Sequence, residues 1–153
     1  MVACIIVAII AYLIGSINFS VILSKKMAGF DVREKGSGNA GTTNMLRAVG
    51  KKAAAITLIC DILKGVVAIL IAMLIENIAK NTNGALLVQI AGIAVILGHT
   101  FPIFFKFKGG KGVATSLGVL IMSNWQIGLI CLVFAIILIL LTQMVSVGSI
   151  AAA

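Results

Sequence analysis

Three stretches of this 153-residue chain are long, apolar and almost free of charge. Val2–Leu23 holds no Lys, Arg, Asp or Glu, Ala53–Ile75 holds only Asp61 and Lys64, and Ala85–Phe105 has only Gln89 and His99 as strongly polar groups. Each approaches or exceeds the roughly 20 residues that cross about 30 Å of hydrocarbon as a helix. Hydrocarbon offers no water to a bare amide, so a crossing segment must satisfy its own backbone. These runs are too long and too continuous for barrel strands. Composition agrees: 61% of residues are hydrophobic and 10% charged, with a mean hydropathy of +1.23, against an apolar fraction of about 45–50% in soluble domains. The expected fold class is all-α, a multi-pass integral membrane helical bundle of four to five helices in a single membrane domain over residues 1–153.

The fourth apolar region, 113–141, is interrupted by "SNWQ" at 123–126. Ten helical residues rise only about 15 Å, half a membrane. Either one bent helix crosses once, or a short helix turns and a second returns; the returning hairpin is the expectation. Predicted spans are therefore 2–23, 53–75, 85–105 and 113–141.

Charge orients the bundle. Of twelve cationic residues, seven lie between the first two spans (Lys25, Lys26, Arg33, Lys35, Arg47, Lys51, Lys52) and three follow the third (Lys106, Lys108, Lys111). By the positive-inside rule these loops, 24–52 and 106–112, face the cytoplasm and the N-terminus lies outside. The apolar start lacks the basic n-region of a signal peptide, so it reads as an anchor. The net charge of +8 implies orientation rather than nucleic-acid binding, because no basic domain stands outside the lipid. Cys4, Cys60 and Cys131 sit apart in apolar runs without metal or redox spacing, and are expected to be spectators.

Two glycine-rich segments share the cytoplasmic side: "DVREKGSGNAGTTNMLRAVGKK" (31–52) and "GHTFPIFFKFKGGKGVATS" (98–116). Gly36, Gly38 and Gly41 fit G-x-G-x-x-G by letter. That fingerprint needs a preceding strand and a βαβ unit, whereas here a charged run precedes it and a membrane span follows. The phosphate-loop pattern fails at Thr42, where lysine is required. What survives is the physics of anion binding: backbone N–H groups exposed by glycine, helix-start residues Thr43 and Asn44, and the Arg47 fork three residues further on. Lys108, Gly109, Gly110, Lys111 and Gly112 repeat the recipe. Two such loops on one face predict a phosphate site; Ser37 and Asn39 lie within the first.

Asp61 and Lys64, one helical turn apart inside a predicted span, read equally as a structural ion pair or as functional groups. His99 reads as a hydrogen-bonded helix end. With no second His or Cys beside it, no metal site is expected.

The motifs "GSINFS", "DVREKGSGNAGTTNMLRAVG", "DILKG", "GHTFPIFFKFKGGKGVAT" and "SVGSIAAA" resemble, in order and from about Gly15 onward, the bacterial acyl-phosphate–glycerol-3-phosphate acyltransferases, the PlsY family. The resemblance implies an inner-membrane enzyme of phospholipid synthesis that moves an acyl group from acyl phosphate to the 1-hydroxyl of glycerol 3-phosphate, giving lysophosphatidate and phosphate. It implies no cofactor, with glycerol 3-phosphate, acyl phosphate and membrane lipid as partners and no nucleic acid. Carried over by motif, Ser37 and Arg47 match the family's essential serine and arginine. Gly109, Gly110, Lys111 and Gly112 match its phosphate loop, and Ser146 and Ser149 match the start of its third motif. The family also implies that substrate phosphate takes the hydroxyl proton.

Two departures stand out. The family reads GSIPFG where this chain has Asn18 and Ser20. Family members also continue beyond the position of Ala153 with a motif containing His, Asn and a late Glu, so the sequence is expected to lack the family's C-terminal part. The chemistry suits the residues present: an acyl phosphate is already activated and needs mainly positioning and charge stabilisation. The H-x-x-x-x-D pair of acyl-CoA-dependent glycerophosphate acyltransferases is missing, since Phe104 stands five residues after His99. The alternatives are a membrane carrier for an organic phosphate, against which the lack of an internal repeat argues, and an inactive truncated form.

Overall fold

A computed structural model of the chain describes residues 1–79 and 83–142. They form seven α-helices: α1 (Val2–Gly15), α2 (Phe19–Ala28), α3 (Thr42–Ala48), α4 (Lys51–Ala79), α5 (Gly84–Thr100), α6 (Val113–Ser123) and α7 (Trp125–Thr142). Two 3-10 turns, Val32–Glu34 and Ile103–Phe105, complete the order, and no strand occurs among the described residues. Four helical stretches are long and apolar enough to cross a membrane: Val2–Ala28, Lys51–Ala79, Gly84–Phe105 and Trp125–Thr142.

The first stretch is broken between α1 and α2. Ser16 donates its hydroxyl to the Tyr12 carbonyl (2.9 Å), and Asn18 then takes an extended conformation as the N-cap of α2. The Asn18 Oδ1 accepts from the Val21 amide (3.2 Å) and from the Ser20 hydroxyl (2.7 Å). Asn18 and Ser20, the two departures from the family pattern, thus bond to each other and start the helix by capping it. The helices also run past the apolar runs, to Ala28 and Ala79, because a helix need not stop where its residues become polar.

Small residues set the helix packing. A Cβ on Gly15 would strike the Val95 carbonyl, and one on Gly98 the Tyr12 carbonyl, so α1 and α5 cross at bare backbone. Gly118 of α6 lies in the same way on the Ile62 carbonyl of α4, and Gly65 of α4 faces Thr115 and Val119. Between apolar helices in lipid, close approach of this kind supplies the dispersion and packing energy that water exclusion cannot. Around these crossings α1, α4 and α5 share a core of Val7, Ala11, Ile69, Leu87, Ala91 and Val95. A second core of Val21, Val32, Ala40, Met45, Ala53 and Ala54 lies beneath the first glycine-rich loop.

Asn124 separates α6 from α7 in extended conformation, and its Oδ1 accepts from the Ile127 amide (3.2 Å). A Cβ on Gly128 would lie 2.8 Å from the Ile121 amide nitrogen. In an unbroken helix those residues are about 10 Å apart along the axis, so the chain turns sharply and α7 packs beside α6.

Candidate functional site

Asn44 organises the first loop. It is fully buried, and its Oδ1 accepts from the Ser37 amide (3.0 Å) while its Nδ2 donates to the carbonyls of Val32 (2.9 Å) and Lys35 (3.0 Å). One side chain from α3 therefore shapes residues 32–37. Gly36 has a φ of +59°, and a Cβ there would strike the Asn44 Oδ1, so the turn requires glycine. As a helix-start residue of the expected phosphate site, Asn44 is expected to face the ligand with Arg47. The structure separates their surroundings: Asn44 is enclosed with its hydrogen-bonding atoms in use, whereas Arg47 is exposed.

Arg33, in sequence one of the orienting charges, joins the two loops. Its Nε and Nη2 donate to the two oxygens of Asp31 (2.9 and 2.7 Å). Its Nη1 donates to the carbonyls of Phe105 (2.9 Å) and Lys108 (3.0 Å) on the second loop. The guanidinium also lies over the Phe105 ring, 5.9 Å from its centroid. A rigid fork suits this four-way task; a lysine would not. The hydrogen bonds from Arg33 hold the Asp31 carboxyl below its ordinary range, and the same pair raises Arg33. The nearest signal in the sequence is the D-x-R spacing at 31–33, which reads equally as solvated charge.

The second loop folds back on the end of α5. Lys106 and Phe107 both take left-handed conformations, with φ of +57°. The Gly109 and Gly110 amides then donate to the carbonyls of Thr100 and His99 (both 3.1 Å). These two N–H groups are therefore occupied, which corrects the expectation that both serve as free anion donors. The glycines instead permit close approach. A Cβ on Gly109 would strike the His99 carbonyl, and one on Gly110 would strike the His99 Nε2 and lie 2.6 Å from the Ala40 carbonyl. Gly110 is thus wedged between the first loop and the His99 ring.

Beneath this wedge, Asp61, Lys64 and His99 come together, all nearly buried. The Lys64 Nζ lies 2.8 Å from Asp61 Oδ1, 2.6 Å from His99 Nδ1 and 3.2 Å from the Ile17 carbonyl. His99 Nδ1 is 3.6 Å from Asp61 Oδ1. Of the two sequence readings of Asp61 and Lys64, an ion pair is present, and it extends to His99 under the loops.

Ser37, Gly36 and Gly38 are exposed on the first loop, with Asn39, Gly41 and Thr43 partly exposed beside them, and Lys108 and Lys111 are exposed on the second. Gly112 precedes α6 with a φ of +83°. Ser146 and Ser149 lie outside the described residues. The chain has only four acidic residues; Asp31 and Asp61 are paired with Arg33 and Lys64. Among the described residues neither Arg47 nor Lys111 takes part in an ion pair. Such an end of a helical bundle is suited to hold anionic groups and to stabilise charge that develops on them.

The fold and this loop pair define a multi-pass membrane protein with exposed cationic side chains on two joined loops. The glycerol-3-phosphate acyltransferase family model matches residues 5–153. A glycerol-3-phosphate acyltransferase of Thermoanaerobacter pseudethanolicus is 51% identical over 143 residues, covering 94% of this chain and 69% of the relative. That of Clostridioides difficile is 46% identical over 146 residues, covering 95% and 71%. Crystal structures of PlsY (YgiH), an integral membrane glycerol 3-phosphate acyltransferase, superpose with TM-scores of 0.85 (glycerol 3-phosphate form, 40% identity) and 0.81 (lysophosphatidic acid form, 38% identity). They cover 97% of this chain, and 72% and 71% of their own. The chain belongs to the glycerol-3-phosphate acyltransferase family, and is an integral membrane acyltransferase.

Proposed function

We propose that the chain transfers an acyl group from acyl phosphate to the 1-hydroxyl of glycerol 3-phosphate, releasing lysophosphatidate and inorganic phosphate. The observation that carries this reading is the joining of two glycine-rich loops by Arg33, with Arg47 and Lys111 exposed and without ion-pair partners among the described residues. In this reading Arg47, Lys108 and Lys111 hold the phosphate groups of the two substrates. Ser37 lies at the reacting centre, and Gly36, Gly38, Asn39, Gly41, Thr43 and Gly112 line the cleft. Asn44, Gly109 and Gly110 position the loops from below. The resemblance to the family adds Ser146 and Ser149, which lie outside the described residues.

The 1-hydroxyl oxygen attacks the acyl carbonyl carbon, the bond from that carbon to the phosphate oxygen breaks, and the hydroxyl proton leaves on phosphate. A good leaving group makes a covalent enzyme intermediate unnecessary; orientation and charge stabilisation supply the acceleration. The loops face the cytoplasm, the N-terminus lies outside, and the acyl tail rests among the helices or in the adjoining leaflet. The concentration of cations at one end supports this orientation.

The test supplies proteoliposomes with labelled glycerol 3-phosphate and either acyl phosphate or acyl-CoA. Lysophosphatidate and equimolar phosphate should form with acyl phosphate alone. Product from acyl-CoA would reject the donor, and uptake of glycerol 3-phosphate without any donor would favour a carrier.

A further inference from the structure

The geometry beneath Gly110 fixes which nitrogen of His99 carries a proton. The Lys64 Nζ has three neighbours within hydrogen-bonding range: the Asp61 carboxylate at 2.8 Å, the Ile17 carbonyl at 3.2 Å and His99 Nδ1 at 2.6 Å. The first two can only accept. An ammonium has three N–H bonds and no acceptor capacity, so a ring nitrogen 2.6 Å from it can only accept. His99 Nδ1 is then the bare nitrogen, and the ring proton sits on Nε2. The unit is Asp⁻, Lys⁺ and neutral His, with no net charge, which is how a buried ionic group avoids an uncompensated desolvation cost.

The Nε2–H so fixed faces the junction of the two loops. A Cβ on Gly110 would strike Nε2 and lie 2.6 Å from the Ala40 carbonyl of the first loop. His99 is 4% exposed, and no described residue accepts a hydrogen bond from Nε2. This N–H is left without an acceptor among the described residues where the loops carrying Ser37, Arg47 and Lys111 converge, so it is available to a ligand. We propose that Lys64 locks His99 as the Nε2–H tautomer, and that this N–H donates to an anionic phosphate oxygen bound between the two loops. The inference deepens the phosphate site proposed above and rests on it for the ligand. It makes Lys64 and Asp61 positioning residues and His99 a ligand contact.

His99 is the only histidine in the chain, so ¹⁵N-histidine labelling gives one ring to observe. The full chain in lipid nanodiscs near neutral pH should show a bare Nδ1 and a protonated Nε2. An Nδ1–H tautomer, or an even mixture, would overturn the lock. Replacing Lys64 alone leaves Asp61 as a buried orphan charge, so the comparison uses the D61N/K64M double variant, which should release the ring into mixed tautomers. A ring still held wholly as Nε2–H there would also overturn it. Glycerol 3-phosphate and inorganic phosphate are then added in separate arms, with binding followed by ³¹P resonance. The Nε2–H proton should move downfield with the arm that supplies the oxygen. Binding that leaves Nε2–H unmoved rejects the contact alone, whereas no binding in either arm rejects the phosphate site itself. In turnover assays H99Q, which keeps a donor, should recover a large part of the glycerol 3-phosphate KM that H99A raises about tenfold; equal KM values would contradict a hydrogen-bonding role.

Discussion

Two arginines in the first loop are set to different tasks by their neighbours. Arg33 is bound on every side by Asp31 and by carbonyls of the second loop, while Arg47 is exposed and outside every described ion pair. Arg33→Lys keeps the charge and loses the fork, so it should cost about 1.5–3 kcal/mol for the charge-assisted bonds removed. A lower thermal midpoint and faster proteolysis within 31–40 would report this. The Asp31 carboxyl, held below its ordinary range by Arg33, gives the clamp a pH dependence of known sign. Its folded value is lower than its unfolded one, so its contribution is complete above about pH 4 and lost as pH falls through the folded value. Asp31→Asn should remove that part of the acid sensitivity, read by thermal midpoints between neutral pH and pH 3. An unchanged acid profile would show that the clamp does not titrate. In the sequence, Arg47 was legible because a motif carried it. Arg33 was not, because its partners at 105 and 108 are brought near only by folding.

At the scale of elements, the helical class was readable because hydrocarbon demands long apolar helices, and four stretches of that kind are present among the described residues. Less legible was the break at Ser16–Asn18. It depends on a side chain capping three residues ahead, a local bond that hydropathy does not sense. The fate of Gly109 and Gly110 was also hidden: glycine announces close approach or free donors equally, and only the pairing with Thr100 and His99 decides. The helix crossings give a direct prediction. Gly98→Ala places a methyl on the Tyr12 carbonyl, and Gly118→Ala places one on the Ile62 carbonyl. Each should destabilise by about 1–3 kcal/mol through overpacking, lowering the thermal midpoint in detergent. Gly29→Ala serves as the contrast, since nothing lies within 4 Å of its Cβ position and only its φ of +76° opposes the change. Equal effects at all three positions would contradict backbone-to-backbone packing as the source.

For the whole molecule, charge is concentrated where the proposed site lies. Cations gather at the end where the loops meet, and the opposite end of the bundle starts at Val2 with an uncharged helix. A single cysteine introduced as Lys108→Cys in a Cys-free background should react with an impermeant maleimide only in inverted membrane vesicles. One introduced as Val2→Cys should react only in right-side-out vesicles. Reversal of the two would overturn the proposed orientation. The central claim is that the joined loops use Arg47 to hold and stabilise substrate phosphate during acyl transfer. It is tested most directly by Arg47→Ala, assayed for lysophosphatidate formed from acyl phosphate and glycerol 3-phosphate. The account predicts a fall of about 100-fold or more, the scale of losing a transition-state charge partner, with an unchanged thermal midpoint. Turnover equal to that of the parent chain would remove Arg47 from the site and contradict the account.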